Sequence, residues 1–240
     1  NKSRKGLWKM QKESEEAGKK EGKKVKRILC YGDSNTYGYN PKNGLRYPEE
    51  IRWTGRLARL LGENYKIIEE GLNSRTTVPE PLGEPWRSGA YCLEPCLRSH
   101  LPIDLVILML GSNDLKLEFH QTEQMIGEHI RELVRDIKII TAEKNPEGKA
   151  SKILVVSPVL VTEDMPDGPF GYDFGGYRAV ELSKKLAPVY QHIAKEEGCG
   201  YLNGAKCASP GRLDGLHLEE DGHKKLAEAL AVKVWEMFAL

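Results

Sequence analysis

A serine hydroxyl is a weak nucleophile until a neighbouring base takes its proton, a carboxylate orients that base, and preorganised donors await the oxyanion that forms. The sequence carries each of these parts. Ser34 lies in Gly32-Asp33-Ser34-Asn35-Thr36, a second polar block runs Gly71-Leu72-Asn73-Ser74-Arg75-Thr76-Thr77, a third is Gly111-Ser112-Asn113-Asp114, and Asp214-Gly215-Leu216-His217 stands near the C-terminus. Asp214 and His217 are three apart, so a loop or one helical turn brings both side chains to one side. An imidazole titrates near neutrality and suits a base. The chemistry these residues predict is acyl transfer: Ser34 attacks, His217 takes and returns its proton, and Asp214 holds the imidazole tautomer. The Ser34 backbone N–H, a backbone N–H of the second block and the Asn113 side-chain amide are the candidate oxyanion donors.

Taken singly, each block has a plainer explanation. Ser34 suits a helix N-cap, Asn113 and Asp114 suit a turn, and Asp214-Gly215 reads as another turn. Their conjunction is what points to chemistry. The other histidines are weaker candidates: His223, beside Lys224 and Lys225, is expected as a solvated residue of the last helix, while His100, His120, His129 and His192 lack a carboxylate at matching spacing. Asp33 and Asp114 adjoin the reactive positions and are expected as supporting hydrogen-bond partners or turn residues.

The elements that must position these groups follow from the apolar pattern. Strands are expected over Arg27–Tyr31, Lys66–Gly71, Asp104–Gly111, Lys152–Ser157 and Gly200–Asn203, each short, rich in Ile, Val, Leu or Tyr, and bounded by Gly, Pro, Asn or Asp. Helices are expected at about 49–62, 87–99, 121–143, 177–197 and 219–238. The third has apolar residues at three- and four-residue steps, Met125, Ile126, Ile130, Leu133, Val134, Ile137 and Ile140. Five rounds of strand and helix predict a single doubly wound α/β domain, a five-stranded parallel sheet flanked by helices, flavodoxin-like in plan. The unbroken apolar run of strand 3 marks it as central. Ligands of such sheets bind beyond the carboxyl ends of the strands, where the polar blocks fall. A long loop over 158–176, with three Pro and four Gly, completes that edge.

Composition narrows the class. A chain of 240 residues is one large domain, and 40% hydrophobic with 30% charged residues and unperiodic Gly and Pro excludes collagen-like, coiled-coil and wholly disordered chains. The apolar run at 105–110 is far short of the roughly 20 residues that span a bilayer, so no membrane insertion is expected. Residues 1–27 hold 11 Lys/Arg against 4 Glu, and the rest of the chain 25 against 31 acidic residues. Residues 1–25 are accordingly expected to be a basic, poorly ordered N-terminal extension, without the apolar stretch of an export signal, preceding a domain over 26–240. With its lysines and glutamates interleaved, the head is not expected to bind nucleic acid. Five cysteines, Cys30, Cys92, Cys96, Cys199 and Cys207, suit reduced thiols and a cytoplasmic location. Cys92 and Cys96 share a helix face and are expected as buried small apolar residues. No metal site is expected, because nothing is spaced to complete one, and the chemistry invokes no cofactor.

At this point the residues carry a likeness to a known family. GDSN, GSND and DGLH, in that order and spacing, resemble the conserved blocks of the SGNH hydrolases of the GDSL esterase superfamily. The resemblance runs from about Lys26 to the C-terminus. The stretches RILCYGDSNTYGY, RWTGRLARLLG, IIEEGLNSRTT, LPIDLVILMLGSNDLK and ILVVSP look most like its bacterial arylesterase and acyltransferase subgroup. The resemblance implies a Ser34, His217, Asp214 triad and an oxyanion hole from Ser34, Ser74 and Asn113. It also implies action on short acyl esters, aryl esters included, acyl transfer to alcohols where the pocket excludes water, and homo-oligomers. Two positions depart from the wider superfamily. Asn35 replaces a leucine, which is expected to matter for packing, and Ser74 stands where many members have glycine, which a backbone donor tolerates if the φ/ψ is allowed.

The expected partner is a small-molecule ester. Tyr37, Tyr39 and Leu216 adjoin the triad and are the candidate substrate pocket, with Phe170 and Phe174 on the long loop as further aromatics. Alternatives are a carbohydrate O-acetylesterase with a more open polar pocket, or a thioesterase or lysophospholipase for longer acyl chains. A nucleotide-binding module is disfavoured, because GDSNTYG is neither a dinucleotide fingerprint nor a P-loop.

Overall fold

The computed structural model describes residues 25–81, 83–144 and 148–239. Apart from Val25, the expected extension over 1–25 lies outside the described residues. Strands β1 (Lys26–Gly32), β2 (Tyr65–Gly71), β3 (Leu105–Met109), β4 (Lys152–Ser157) and β5 (Gly200–Asn203) form one parallel sheet in the order β2-β1-β3-β4-β5. The central strand is β3, and every residue of it is buried. It is shorter than its apolar run because the chain turns out of the ladder at Gly111, with φ of 120°, and the Leu110 carbonyl accepts from the Tyr190 hydroxyl at 2.7 Å instead of from a strand.

Alternate residues of each strand feed two cores, as the two-residue period of a strand requires. Leu29, Tyr31, Val106, Leu108, Ile153 and Val155 face the helices Gly89–His100, Glu123–Glu143 and Tyr177–Glu196. On the other face Ile28, Cys30, Ile107, Met109, Leu154 and Val156 meet Trp53–Leu61 and Glu220–Ala239. The helix Glu123–Glu143 starts where Thr122 accepts from the Met125 N–H at 3.2 Å, and Ile126, Ile130, Leu133, Val134, Ile137 and Ile140 form its buried stripe. Met125 falls off that stripe and is exposed. Cys92 and Cys96 are half-buried at the edge of their helix rather than buried. Among the described residues no helix is long and apolar enough to cross a membrane.

His223 is not solvated. It is fully buried in the first turn of Glu220–Ala239, where its Nδ1 accepts from the Trp53 N–H at 3.2 Å and its ring meets Tyr47 edge-on at 5.4 Å. The imidazole thus serves one of the orphan donors at the start of the helix Trp53–Leu61, a task only a neutral ring can perform. Burial, followed by the positive charges of Arg56, His217 and Arg52, lowers its pKa to about 3. An unfolded chain binds this proton near pH 6.5 and the folded chain does not until about 3. The stability is therefore fully present above pH 6.5 and lost as pH falls towards 3. Denaturant titrations at pH 7 and pH 5 should show the wild type losing about 2 kcal/mol more than His223→Gln, whose amide oxygen can still accept from Trp53. Equal losses would contradict a neutral, buried His223.

Candidate active site

In the order β2-β1-β3 the winding of the sheet reverses between β1 and β3, and the crevice at that switch point is where doubly wound sheets take ligands. Ser34 follows β1 and Asn113 follows β3, so they flank it. β1 ends at Gly32, and Asp33 then N-caps a one-turn helix, Ser34–Tyr37, by accepting from the Asn35 N–H at 2.9 Å. That helix seats Ser34 at its first position. The second loop is drawn in by the Leu72 N–H, which donates to the Gly32 carbonyl at 3.1 Å. It can approach so closely because Gly71 has no side chain: a Cβ there would collide with the Tyr37 backbone nitrogen.

The fourth block closes the arrangement. Gly215, at φ of 64°, turns the chain between Asp214 and His217, and Asp214 Oδ1 accepts from the Leu216 and His217 N–H groups at 3.0 and 2.9 Å. The Thr162 N–H, from the loop after β4, donates to the Gly215 carbonyl at 2.9 Å. His217 Nδ1 then lies 2.7 Å from Asp214 Oδ2, and His217 Nε2 lies 2.9 Å from Ser34 Oγ. All three side chains are buried, Ser34 most lightly at 8% exposure. Burial opposes ionisation of Asp214, but the hydrogen bond and charge of His217, with the two backbone donors, hold its carboxyl below the usual range. A serine, an imidazole and an ionised carboxylate in this chain of bonds can activate an oxygen nucleophile.

The candidate oxyanion donors lie on the segments that follow β1, β2 and β3. No acceptor among the described residues takes the Ser34 or Ser74 backbone N–H. Asn113 Nδ2 donates to the Arg75 carbonyl at 3.0 Å, which ties its amide to the residue after Ser74. Ser74 adopts φ of 64°, in the left-handed region, which explains why glycine suits this place; a serine there costs roughly 1–2 kcal/mol. Behind the crevice, burial pushes the Asp33 carboxyl up to about 6 against the Asn35 N–H, His217 and the Ser112 hydroxyl, all of which favour its ionised form. Asp114, likewise raised by burial, accepts from the Thr77 N–H at 2.9 Å and from the Thr77 hydroxyl. Both aspartates support loops, as expected.

Of the expected pocket residues, Tyr39 reaches the site: its ring centroid is 4.4 Å from that of His217. Phe170 covers the imidazole from another side at 5.5 Å. Leu216 instead faces the core, buried at 6% exposure, and Phe174 does the same. Tyr37 packs under the Arg46 guanidinium, 4.8 Å away, and has no ring contact with His217. Two of the histidines without a carboxylate at matching spacing pair with one elsewhere: His100 Nε2 lies 2.9 Å from Glu70 and His192 Nε2 lies 3.2 Å from Glu196. Neither pair includes a serine. Among the described residues no group of three or more His, Cys, Asp or Glu is placed to hold a metal ion.

The residue that sequence reasoning undervalued is Asn35. Its side chain is buried, Nδ2 donates to the Leu216 carbonyl at 3.3 Å, and Oδ1 accepts from the Leu218 N–H at 2.8 Å. These two bonds clamp the backbone on both sides of His217 to the helix that bears Ser34. A polar residue where the superfamily has leucine was the available signal, since buried amides are almost always bonded.

The family model of the GDSL-like lipase/acylhydrolases matches residues 30–225, which include all four blocks. The chain belongs to the GDSL-like lipase/acylhydrolase family. Solved structures similar to this lipase/acylhydrolase domain include a carbohydrate acetylesterase from Sinorhizobium meliloti, 39% identical, with a TM-score of 0.82 over 89% of this chain and 100% of that one. The native aryl esterase of M. smegmatis is 38% identical, with a TM-score of 0.81 over 88% of this chain and 99% of that one. A curated acetylxylan esterase from Xylanibacter ruminicola is 22% identical over 87% of this chain, which spans only 43% of that protein's length. Family and neighbours support carboxylic ester hydrolysis as the reaction class of this GDSL-like domain.

The clamp gives a direct expectation. Asn35→Ala orphans the Leu218 N–H and the Leu216 carbonyl, each at roughly 1–3 kcal/mol, and loosens His217. Thermal unfolding should shift down by several degrees, whereas Asn35→Asp, which keeps the acceptor for Leu218, should lose less. An unshifted melting temperature in Asn35→Ala would refute the clamp.

Proposed function

We propose that this chain is a serine esterase that hydrolyses short-chain acyl esters, aryl acetates among them, through an acyl-enzyme on Ser34. The observation that carries the reading is the relay of 2.9 Å from Ser34 Oγ to His217 Nε2 and 2.7 Å from His217 Nδ1 to Asp214. In this mechanism Ser34 Oγ attacks the ester carbonyl as its proton passes to His217 Nε2. The negative charge gathers on the carbonyl oxygen, where the Ser34 and Ser74 N–H groups and the Asn113 amide would receive it. Collapse expels the alcohol, which His217 protonates, and leaves the acyl group on Ser34. Water, deprotonated by the same imidazole, then releases the acid. Asp214 stays ionised and stabilises the imidazolium in both halves.

Acyl transfer is the second half run with an alcohol in place of water. The rings of Tyr39 and Phe170 against His217 favour it, because they limit the water beside the imidazole. The same reading takes the chain as a homo-oligomer, supported by the exposed apolar side chains of Leu45, Trp86 and Tyr91. The five free thiols favour a reducing, cytoplasmic setting. A second reading, O-acetylated carbohydrate as substrate, is supported by a cavity whose wall holds Arg87, Lys116, Glu118 and Asp173 and by the acetylesterase neighbours.

Stopped-flow release of p-nitrophenol from p-nitrophenyl acetate tests the proposal. Wild type should show Ser34-dependent turnover that is abolished in Ser34→Ala and accelerated by added alcohol if deacylation limits the rate. Asn113→Ala should lower kcat about 10²–10³-fold with a smaller change in KM, the pattern of a donor used in the transition state. Undiminished turnover in Ser34→Ala would overturn the mechanism.

A further inference from the structure

A cavity of about 710 Å³, far larger than an acetyl group needs, is walled by Arg87, Lys116, Glu118, Tyr172 and Asp173 with Gly171 and Gly175 between them. Its walls come from segments that also build the site. Lys116 donates its N–H to the Asn113 carbonyl at 3.1 Å, Gly171 follows the Phe170 that packs on His217, and Arg87 Nε reaches the Ser74 carbonyl at 3.5 Å. A leaving alcohol must lie next to His217 to receive its proton, and Phe170, whose ring centroid is 5.5 Å from that of His217, leads directly into Gly171 of the cavity wall.

The charges in its wall are not equivalent. The Arg87 guanidinium is satisfied by the chain itself, through Glu84 at 2.7 Å and Glu118 at 2.8 Å. Lys116 is half-buried, its ammonium stands 5.8 Å from the Phe174 ring centroid, and it forms no ion pair with a carboxylate among the described residues. Asp173, also in the wall, is exposed and stands outside ion-pair distance of it. Burial first, and then the neighbouring Arg87 charge, lower the Lys116 pKa, while the carboxylates of Glu118, Asp173 and Glu84 act the other way without forming an ion pair with it. At the same wall Tyr172 is 92% exposed, a flat face open to a ring.

We propose that this cavity is the alcohol-side subsite of the esterase and that it selects esters whose alcohol carries a carboxylate, held by the Lys116 ammonium with the ring against Tyr172. Acetylated sugar acids and acetylated hydroxybenzoates are substrates of this kind. The inference rests on the Ser34 esterase reading and adds the charge preference to it. A charge-assisted hydrogen bond to a bound carboxylate accounts for a preference of about tenfold or more.

The test compares 4-acetoxybenzoate with its methyl ester, which differ in that one charge, in wild type, Lys116→Gln and Lys116→Arg. The ratio of kcat/KM for the anionic over the neutral ester should fall about tenfold in Lys116→Gln, chiefly through KM, and be largely kept in Lys116→Arg. Inhibition of p-nitrophenyl acetate turnover by 4-hydroxybenzoate should weaken about tenfold in Lys116→Gln as well. An unchanged ratio and unchanged inhibition in Lys116→Gln would overturn the subsite while leaving the esterase standing. Turnover of the neutral ester that persists in Ser34→Ala would instead overturn the esterase reading.

Discussion

The bond between Ser34 Oγ and His217 Nε2 joins residues 183 positions apart, and most of the fold's unusual local features serve to hold that length near 2.9 Å. Ser34 is placed by the end of β1 and the Asp33 cap, His217 by the turn at Gly215 and the two N–H bonds to Asp214. Neither placement fixes the distance between them. The Asn35 amide does so, because its two ends bond the backbone on either side of His217. A flexible loop could bring an imidazole into reach of the serine for part of the time; a clamped one does so without a cost at each turnover.

Electrostatics follow from the same geometry. Three carboxyls lie near the relay, and burial acts on all of them, yet only Asp214 is held below its ordinary pKa, because His217 and two backbone donors surround it. Asp33 and Asp114 lie deeper, and burial outweighs their hydrogen bonds and raises both. The carboxyl held most firmly in its ionised form is thus the one that touches the imidazole. His223, only six residues beyond His217, illustrates the opposite outcome: with no carboxylate beside it and cations nearby, it stays neutral and serves a helix terminus.

The period of the apolar residues made the sheet, its helices and the central place of β3 legible from sequence, since a strand buried on both faces has no polar alternation to show. The relay was legible as well, because the residue types it needs fall just after strands and Asp214 lies three residues from His217. What the sequence concealed depends on where side chains point. Leu216 and Tyr39 both adjoin the triad in sequence, yet one turns into the core and the other stacks on His217. His223 looked solvated because lysines flank it, although the helix presents those lysines and that histidine to different faces. The pairing of Arg87 by two glutamates, beside a Lys116 that has no ion pair among the described residues, joins segments that no periodicity links.

The central claim is that Ser34 carries the acyl group. Acid quench of the enzyme during turnover of a slowly deacylated ester, followed by intact mass and peptide mapping, tests it most directly. The account predicts a mass increase of one acyl group, confined to the peptide that contains Ser34 and absent when His217 is replaced by alanine. An acyl group found on another residue, or accumulation undiminished without His217, would contradict it.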